Sequence, residues 1–407
     1  MLSEISGGVC APKGFRANGV HCGIRKNKTK KDLALIVADV RCATACVYTT
    51  NLVKGAPILV TKENVKDGYA QAVIVNSGNA NTCNANGVEI AKGMCGLVEA
   101  HTGIPAKDVV VASTGVIGQT LSLEPIADGM EALVGGLQNG GEGSSAAAEA
   151  IMTTDTVEKQ IAYSFDLDGK ICSIGAIAKG VGMICPNMAT MLMFITTDAA
   201  ISPAMLQKAL SSDVKDSLNM LSVDRDTSTN DTMCVMASGL AGNSEVTQED
   251  DDFRTFCTAL HAVTSAMCKK LAGDGEGATK LIECVVCGAA DKDTARICAK
   301  SVINSNLVKA AMFGSDANWG RVLCALGYSG ADIDVKKVDV KFVSKAGEVV
   351  VCQNGMGVEF SEEQAKSVLS EAEIVIDVEL NSGADSATAW GCDLTYDYVK
   401  INGDYRT

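Results

Sequence analysis

Short apolar runs and longer apolar stripes with a period near 3.6 share this 407-residue chain. "KDLALIVAD", "ILVTKE", "QAVIVNSG", "DVVVASTG", "KICSIGAIAKG" and "ATMLMFITTD" are β-favouring runs and predict strands. "SPAMLQKALSSDVKDSLNML" predicts a helix with Ser202 as N-cap and Pro203 at the first helical position. From Phe253 to Leu271, the residues Phe253, Phe256, Cys257, Leu260, Val263, Met267 and Leu271 fall on one helical face, ending at Gly273. After Lys280 the order is a strand (Leu281 to Cys287), a helix (about Asp293 to Phe313) and a hairpin, "VDVKFVSKAGEVVVCQNG", whose connection includes Lys345, Ala346 and Gly347. A helix follows in "SEEQAKSVLSEAE", with Ser361 and Gln364 at capping-box spacing, and then the strand "EIVIDVEL". The fold class is therefore α/β (α+β), with a smaller C-terminal α/β domain over about 282–394 and enough length for a large core.

One run raises a chemical question. In "KGVGMICPNMATMLMFITTDA", Met191 to Thr196 reads as a strand packed on both faces, Pro186 and Asn187 as a turn, and Thr190 opens the strand. A hydroxyl held there after a constrained turn can attack the Ala189–Thr190 bond. The acyl group moves from nitrogen to oxygen, and hydrolysis of the ester frees a new α-amine on Thr190. With an unperturbed pKa of about 7.7 to 8.0, that amine can serve as base for its own hydroxyl. The ordinary reading of such a threonine is a β-former, and the local sequence alone does not separate the two.

Composition narrows the alternatives. Lys+Arg 35 against Asp+Glu 49 gives a formal charge of −14, and the longest basic cluster, "KNKTKK", does not offset it. A nucleic-acid partner is disfavoured. No apolar stretch approaches the roughly 18 to 20 residues that span a bilayer, and "MLSEISGGVCAPKGF" has no export pattern, so the expected location is the cytoplasm, without a membrane partner. Seventeen cysteines scattered along so long a chain do not look like a disulfide framework. The one C-x-x-C, Cys284 to Cys287, lies in a predicted strand, where positions three apart face opposite ways and cannot chelate a metal. His21, His101 and His261 have no partner histidine at ligand spacing and no G-x-S-x-G nearby. A metal is not expected, and a nucleophile here needs a base other than imidazole.

Four glycine-rich turns are read as following strands: "VNSGNANTCNANG", "ASTGVIGQT", "LAGDGEGATK" and "FGSDANWGR". Each can offer backbone N–H groups to an anion or a developing oxyanion, but none has the nucleotide-binding spacing in its required context. Singly, each is a tight turn.

Together these pieces make the chain resemble the ornithine acetyltransferase family, also called glutamate N-acetyltransferase, of arginine biosynthesis. The resemblance rests on "GVCAPKGFRANGV", "NSGNANTCNANG", "ASTGVIG", "IMTTDT", "PNMATML", "DRDTSTNDT", "GEGATK", "GSDANWGR" and "YVKINGDYRT", nine matches in order over nearly the whole length. It implies stacked β-sheets flanked by helices, related in logic to N-terminal-nucleophile hydrolases but with a connectivity of its own. It also implies self-cleavage between Ala189 and Thr190, giving an α chain of 1–189 and a β chain of 190–407, assembled as an α2β2 heterotetramer.

The implied site residues follow from the same matches. Thr190 is the nucleophile, and the Thr114 hydroxyl and Gly115 N–H form the oxyanion hole. Thr153, Lys179, Thr190, Glu276, Asn402 and Thr407 bind substrate, which brings the tail 395–407 back into the site. Lys179 suits an α-carboxylate, and Glu276 suits the δ-ammonium of ornithine. The implied reaction passes acetyl from N2-acetyl-L-ornithine to L-glutamate through an acetyl-Thr190 ester, with no bound cofactor. Use of acetyl-CoA as a co-substrate depends on pocket shape outside the shared motifs. The alternatives are an N-terminal-nucleophile amidase or aminopeptidase, in which water takes the acyl group, and an uncleaved binding protein. Val181 departs from the smaller or polar residue expected in "KGVGM" and bears on cleavage rate rather than chemistry. The cysteine count exceeds what the resemblance leads one to expect.

Overall fold

The computed structural model describes residues 2–183 and 191–404, and all elements named here belong to them. In chain order the first half gives β1 (Ser3–Ile5), β2 (Phe15–Val20), β3 (Leu33–Tyr48), α1 (Ala56–Asn64), β4 (Tyr69–Asn76), α2 (Gly87–Thr102), β5 (Val109–Ser113), α3 (Glu124–Gly135), α4 (Gly141–Ile151), β6 (Lys159–Leu167) and β7 (Lys170–Lys179). Next come β8 (Leu192–Thr197), α5 (Pro203–Asp213), β9 (Leu221–Ser222), β10 (Thr232–Ala237), α6 (Asp251–Gly273) and β11 (Leu281–Ala289). The last part gives α7 (Lys292–Asn304), α8 (Asn306–Phe313), α9 (Trp319–Gly327), β12 (Asp339–Ser344), β13 (Gly347–Gln353), β14 (Met356–Gly357), α10 (Glu362–Leu369), β15 (Glu373–Glu379), β16 (Asp385–Cys392) and α11 (Tyr396–Asp404).

Two mixed sheets stack with helices between and around them. The first runs β1-β6-β7-β8-β10-β3-β4-β5, with β2 paired to β3, and the second runs β14-β13-β12-β15-β11-β16-β9. Alternation along β3 shows how the first sheet is covered. Leu33, Leu35 and Val37 join the core formed with α2 and α3, while Ala34, Ile36 and Ala38 join the core that includes the alanines of α4. Helix α6 lies between the sheets, touching β6 and β7 on one side and β11 and β16 on the other. Its stripe Phe256, Leu260, Val263, Met267 and Leu271 is buried, as the 3.6 period required. Asp250 caps this helix by accepting the Phe253 N–H at 3.0 Å. β8 is buried along its whole length, which explains its unbroken apolar sequence.

Four expectations need correction. "ILVTKE" is not a strand but most of α1, which starts with Pro57 in its first turn. Its β-branched residues misled because Thr61 serves the sheet from the side. The Thr61 hydroxyl donates to the Val111 carbonyl at 2.7 Å and accepts the Val111 N–H at 2.9 Å, closing the open edge of β5. The helix after Ser202 stops at Asp213 rather than running to Leu221. There the Ser217 hydroxyl donates to both the carbonyl and the carboxylate of Asp213, at 2.9 Å each. The helix drawn from about Asp293 to Phe313 is two helices. Ser305 is extended and its hydroxyl caps α8 by accepting the Val308 N–H at 3.3 Å. The "KDLALIVAD" strand also continues to Tyr48.

The hairpin at Lys345 and Ala346 and the Ser361 cap on α10 appear where expected. Cys284 is buried and Cys287 only partly so, on opposite faces of β11. Among the described residues sixteen cysteines are free thiols, most of them buried. Burial pushes the Cys10, Cys42 and Cys95 thiols up to about 12, so they behave as small apolar groups. Among the described residues no helix is long and apolar enough to cross a membrane.

Candidate active site

The C-terminal end of β7, the loop after β5, the turn after α6 and the helix α11 meet at one cleft. Thr114, Gly115, Thr153, Lys179, Glu276 and Asn402 all line it. These residues come from five distant parts of the sequence. Ala189, Thr190 and Thr407, together with the Pro186–Asn187 turn, lie outside the described residues. In sequence, Met183 and Met191 are the described residues on either side of the segment that holds Thr190; Met183 lies in the cleft wall, and the Met191 carbonyl accepts the Thr232 N–H at 3.2 Å where β8 and β10 begin to pair.

Three of the four glycine-rich turns contribute. Ala80 comes from the first, Thr114, Gly115 and Ile117 from the second, and Glu276 from the third. "FGSDANWGR" instead joins α8 to α9. The second turn is folded tightly onto the first. The Thr114 N–H donates to the Asn76 carbonyl at 3.0 Å, and the Ala80 N–H to the Val116 carbonyl at 2.9 Å. Gly115 has φ 131°, and a Cβ on it would lie 2.3 Å from the Gly78 carbonyl carbon and 2.5 Å from the Asn79 nitrogen. Those are main-chain atoms, which cannot swing away. Gly115→Ala should therefore lower stability by at least about 2 kcal/mol, read as a lower guanidinium midpoint beside the parent protein. An unchanged midpoint would contradict this packing.

Lys179 is not a solvated charge. Only 6% of it is exposed, and its ammonium donates to the Thr114 hydroxyl at 3.3 Å. Burial pushes its pKa down, and Asp155 opposes that. Asp155 is the hub of the charge network. It accepts the Lys159 ammonium at 2.8 Å, the Gly180 N–H at 2.8 Å and the Thr153 N–H at 2.9 Å. Burial alone would raise its pKa, but Lys179 and Lys159 outweigh it and hold the carboxyl at about 2. Lys159, 1% exposed, also pairs with Asp274 at 2.6 Å. Neither Asp155 nor Lys159 stands out in sequence, where a lone Asp in "TTDT" carries no signal.

Across the cleft, Glu276 accepts the Thr154 hydroxyl at 2.7 Å and the Asn402 amide at 2.8 Å. Its own N–H donates to the carbonyl of Val181, at 2.8 Å. Val181 is itself buried. Asn230, in "STNDT", ties the cleft floor together. Its amide donates to the Ala80 carbonyl at 2.6 Å and the Ser113 carbonyl at 2.9 Å, while Thr82 donates to its oxygen at 2.6 Å. Next to it Asp231 is pushed well above the usual carboxylate range by burial, which the Met191 N–H and Lys179 offset only in part.

The histidines are elsewhere. His101 bonds the Leu97 carbonyl at 2.8 Å, and His21 lies 3.2 Å from Asp32. His261 sits between Asp213, at 2.8 Å, and Ser265, at 3.2 Å, and Asp213 raises its pKa. This hydrogen-bonded Ser-His-Asp chain was invisible locally because Asp213 is on another helix. Ser265 lies mid-helix in α6, where backbone N–H groups are consumed within the helix and leave no oxyanion donors.

The stacked mixed sheets and a cleft joining a buried cation, a pinned carboxylate and a glycine-built turn define an α/β protein whose site is assembled from both halves of the chain. The chain belongs to the ArgJ family, whose model matches residues 16–407. It is 50% identical over 407 residues to the arginine biosynthesis bifunctional protein ArgJ of Caldanaerobacter subterraneus subsp. tengcongensis, covering all of both chains. It is 51% identical over 408 residues to the protein of that name from Symbiobacterium thermophilum, again over the full length of each. A crystal structure of the ArgJ protein from Bacillus halodurans shares 46% identity, with a TM-score of 0.50, covering 52% of this chain and 98% of the solved one.

Proposed function

We propose that this protein is a self-cleaving acetyltransferase of arginine biosynthesis, moving acetyl from N2-acetyl-L-ornithine to L-glutamate. The relatives' shared name supports the pathway, and its word "bifunctional" supports acetyl-CoA as a second acetyl donor to glutamate. The observation that carries the reading is the convergence of Thr114, Gly115, Thr153, Lys179, Glu276 and Asn402 on one cleft.

In this reading Thr190 becomes the first residue of a new chain. Its α-amine takes the hydroxyl proton as Oγ attacks the acetyl carbonyl. The C–N bond of the donor then breaks, and the proton passes to the departing ornithine nitrogen. Glutamate's amine attacks the resulting ester, and the threonine hydroxyl is restored. The Thr114 hydroxyl accepts from Lys179, which leaves its own proton to give to an oxyanion. Among the described residues no acceptor takes the Gly115 N–H, the second donor of the hole. Lys179 suits the α-carboxylate common to donor and acceptor. Asn402 supports the role of the returning tail, to which Thr407 also belongs. No metal or bound cofactor enters any step. The solved relative's chain, matched over 98% of its length by 52% of this one, has the size that scission before residue 190 would give the β chain. Assembly as α2β2 in the cytoplasm completes the reading.

Intact mass of the purified protein, before and after adding N2-acetylornithine, tests it. Two chains of 1–189 and 190–407 are expected, with a transient acetyl increment on the second. Acetyl appearing on glutamate faster than as free acetate separates the transferase from an amidase. A single unmodified chain that nonetheless catalyses transfer would overturn the mechanism.

A further inference from the structure

We propose that Thr154, together with Gly182, makes the tail end of the cleft selective for donors that finish in a cation. The inference deepens the acetyltransferase reading and rests on it. Thr154 lines the cleft and gives its hydroxyl proton to Glu276 Oε1 at 2.7 Å. A threonine oxygen has one proton to donate and two lone pairs to offer. With the proton committed to Glu276, Thr154 presents only lone pairs to whatever occupies the cleft. The carboxylate beside it has Oε2 held by the Asn402 amide, and about four acceptor positions in all, so it too has room for a further donor.

An ammonium therefore meets acceptors on both Thr154 and Glu276, and a carboxylate meets no donor on either of them. Glutamate, as acceptor, must place its side-chain carboxylate elsewhere. Thr154 then acts on one half-reaction only.

Gly182 fixes how far the acid reaches. A Cβ there would lie 2.3 Å from Oε2 and 2.5 Å from the carboxyl carbon of Glu276. The acid is already tied by Thr154, by Asn402 and through its main chain to Val181, so it has little freedom to retreat. A side chain at position 182 would push the carboxylate off the tail position.

The test compares N2-acetylornithine with N2-acetylnorvaline, which has the same carbon chain without the amine, using the full-length, self-processed protein. The parent should prefer the ornithine donor. In Thr154→Val that preference, as a ratio of kcat/KM, should shrink about tenfold, through KM of the ornithine donor, with kcat and KM for glutamate within about threefold of the parent. Thr154→Ser keeps the hydroxyl and should restore the ratio. Gly182→Ala should shrink it likewise, with thermal unfolding run alongside to report folding. Thr154→Val with an unchanged ratio, or with KM for glutamate raised equally, overturns the inference while leaving the transferase reading intact. A parent protein that transfers no acetyl from N2-acetylornithine overturns the reading, and this inference with it.

Discussion

Thr190→Ala is expected to yield a single polypeptide of about 42 kDa that carries no acetyl group and transfers none. The argument has two independent parts. Scission needs an oxygen nucleophile on residue 190, and alanine supplies none. Transfer needs both that oxygen and the α-amine that scission uncovers, because the histidines lie outside the cleft and, among the described residues, Glu276 is already held by Thr154 and Asn402. Activity should fall to background, a loss of at least about 10³-fold. Thr190→Ser keeps an oxygen and should retain partial scission. A denaturing gel and an acetyl-transfer assay on the same preparations decide the matter, and a cleaved or active alanine variant would remove the nucleophile assignment.

Asp155→Asn is expected to cost about 3–5 kcal/mol of stability at neutral pH, because it leaves the buried Lys159 and Lys179 without the carboxylate they share. The pH dependence gives the sharper check. The folded carboxyl sits at about 2, below its ordinary value of 3.8. A group whose pKa is depressed on folding stabilises above the unfolded value and loses that contribution as pH falls through the folded one. From pH 4 to pH 2 the parent should therefore lose roughly 2 kcal/mol that the asparagine variant lacks, so the two stability curves converge. Urea unfolding at pH 7, 4 and 2.5 measures it, and a constant gap would show that Asp155 is not the titrating hub. Activity should fall as well, since Asp155 holds the N–H groups of both Thr153 and Gly180.

Much of this site was legible in sequence, but through motif matches rather than physical pattern. The periodicity of Phe253 to Leu271 gave α6, and the apolar run after Thr190 gave the fully buried β8, because burial writes itself into hydrophobic spacing. Charges do not. Lys179 and Glu276 look like surface residues near turns until the fold buries one and clamps the other. Thr154, Asp155 and Lys159 act through partners 25 to 122 residues away, and no local pattern records that. The error at α1 has the same origin. Ile58, Val60 and Thr61 favour strands intrinsically, yet Thr61 bonds Val111 from a helix at the edge of the sheet.

The strand order of the first sheet has a consequence for the two halves. β8 and β10 come after residue 190, and they are hydrogen-bonded between β7 and β3, which come before it. Cutting the chain ahead of Thr190 thus leaves two interleaved pieces laced through one ladder, not two bodies resting side by side. Parting them would unzip the middle of the sheet. The pieces should remain mated for the life of the folded protein and refuse to swap with those of another copy, so that each molecule keeps the mate it was translated with.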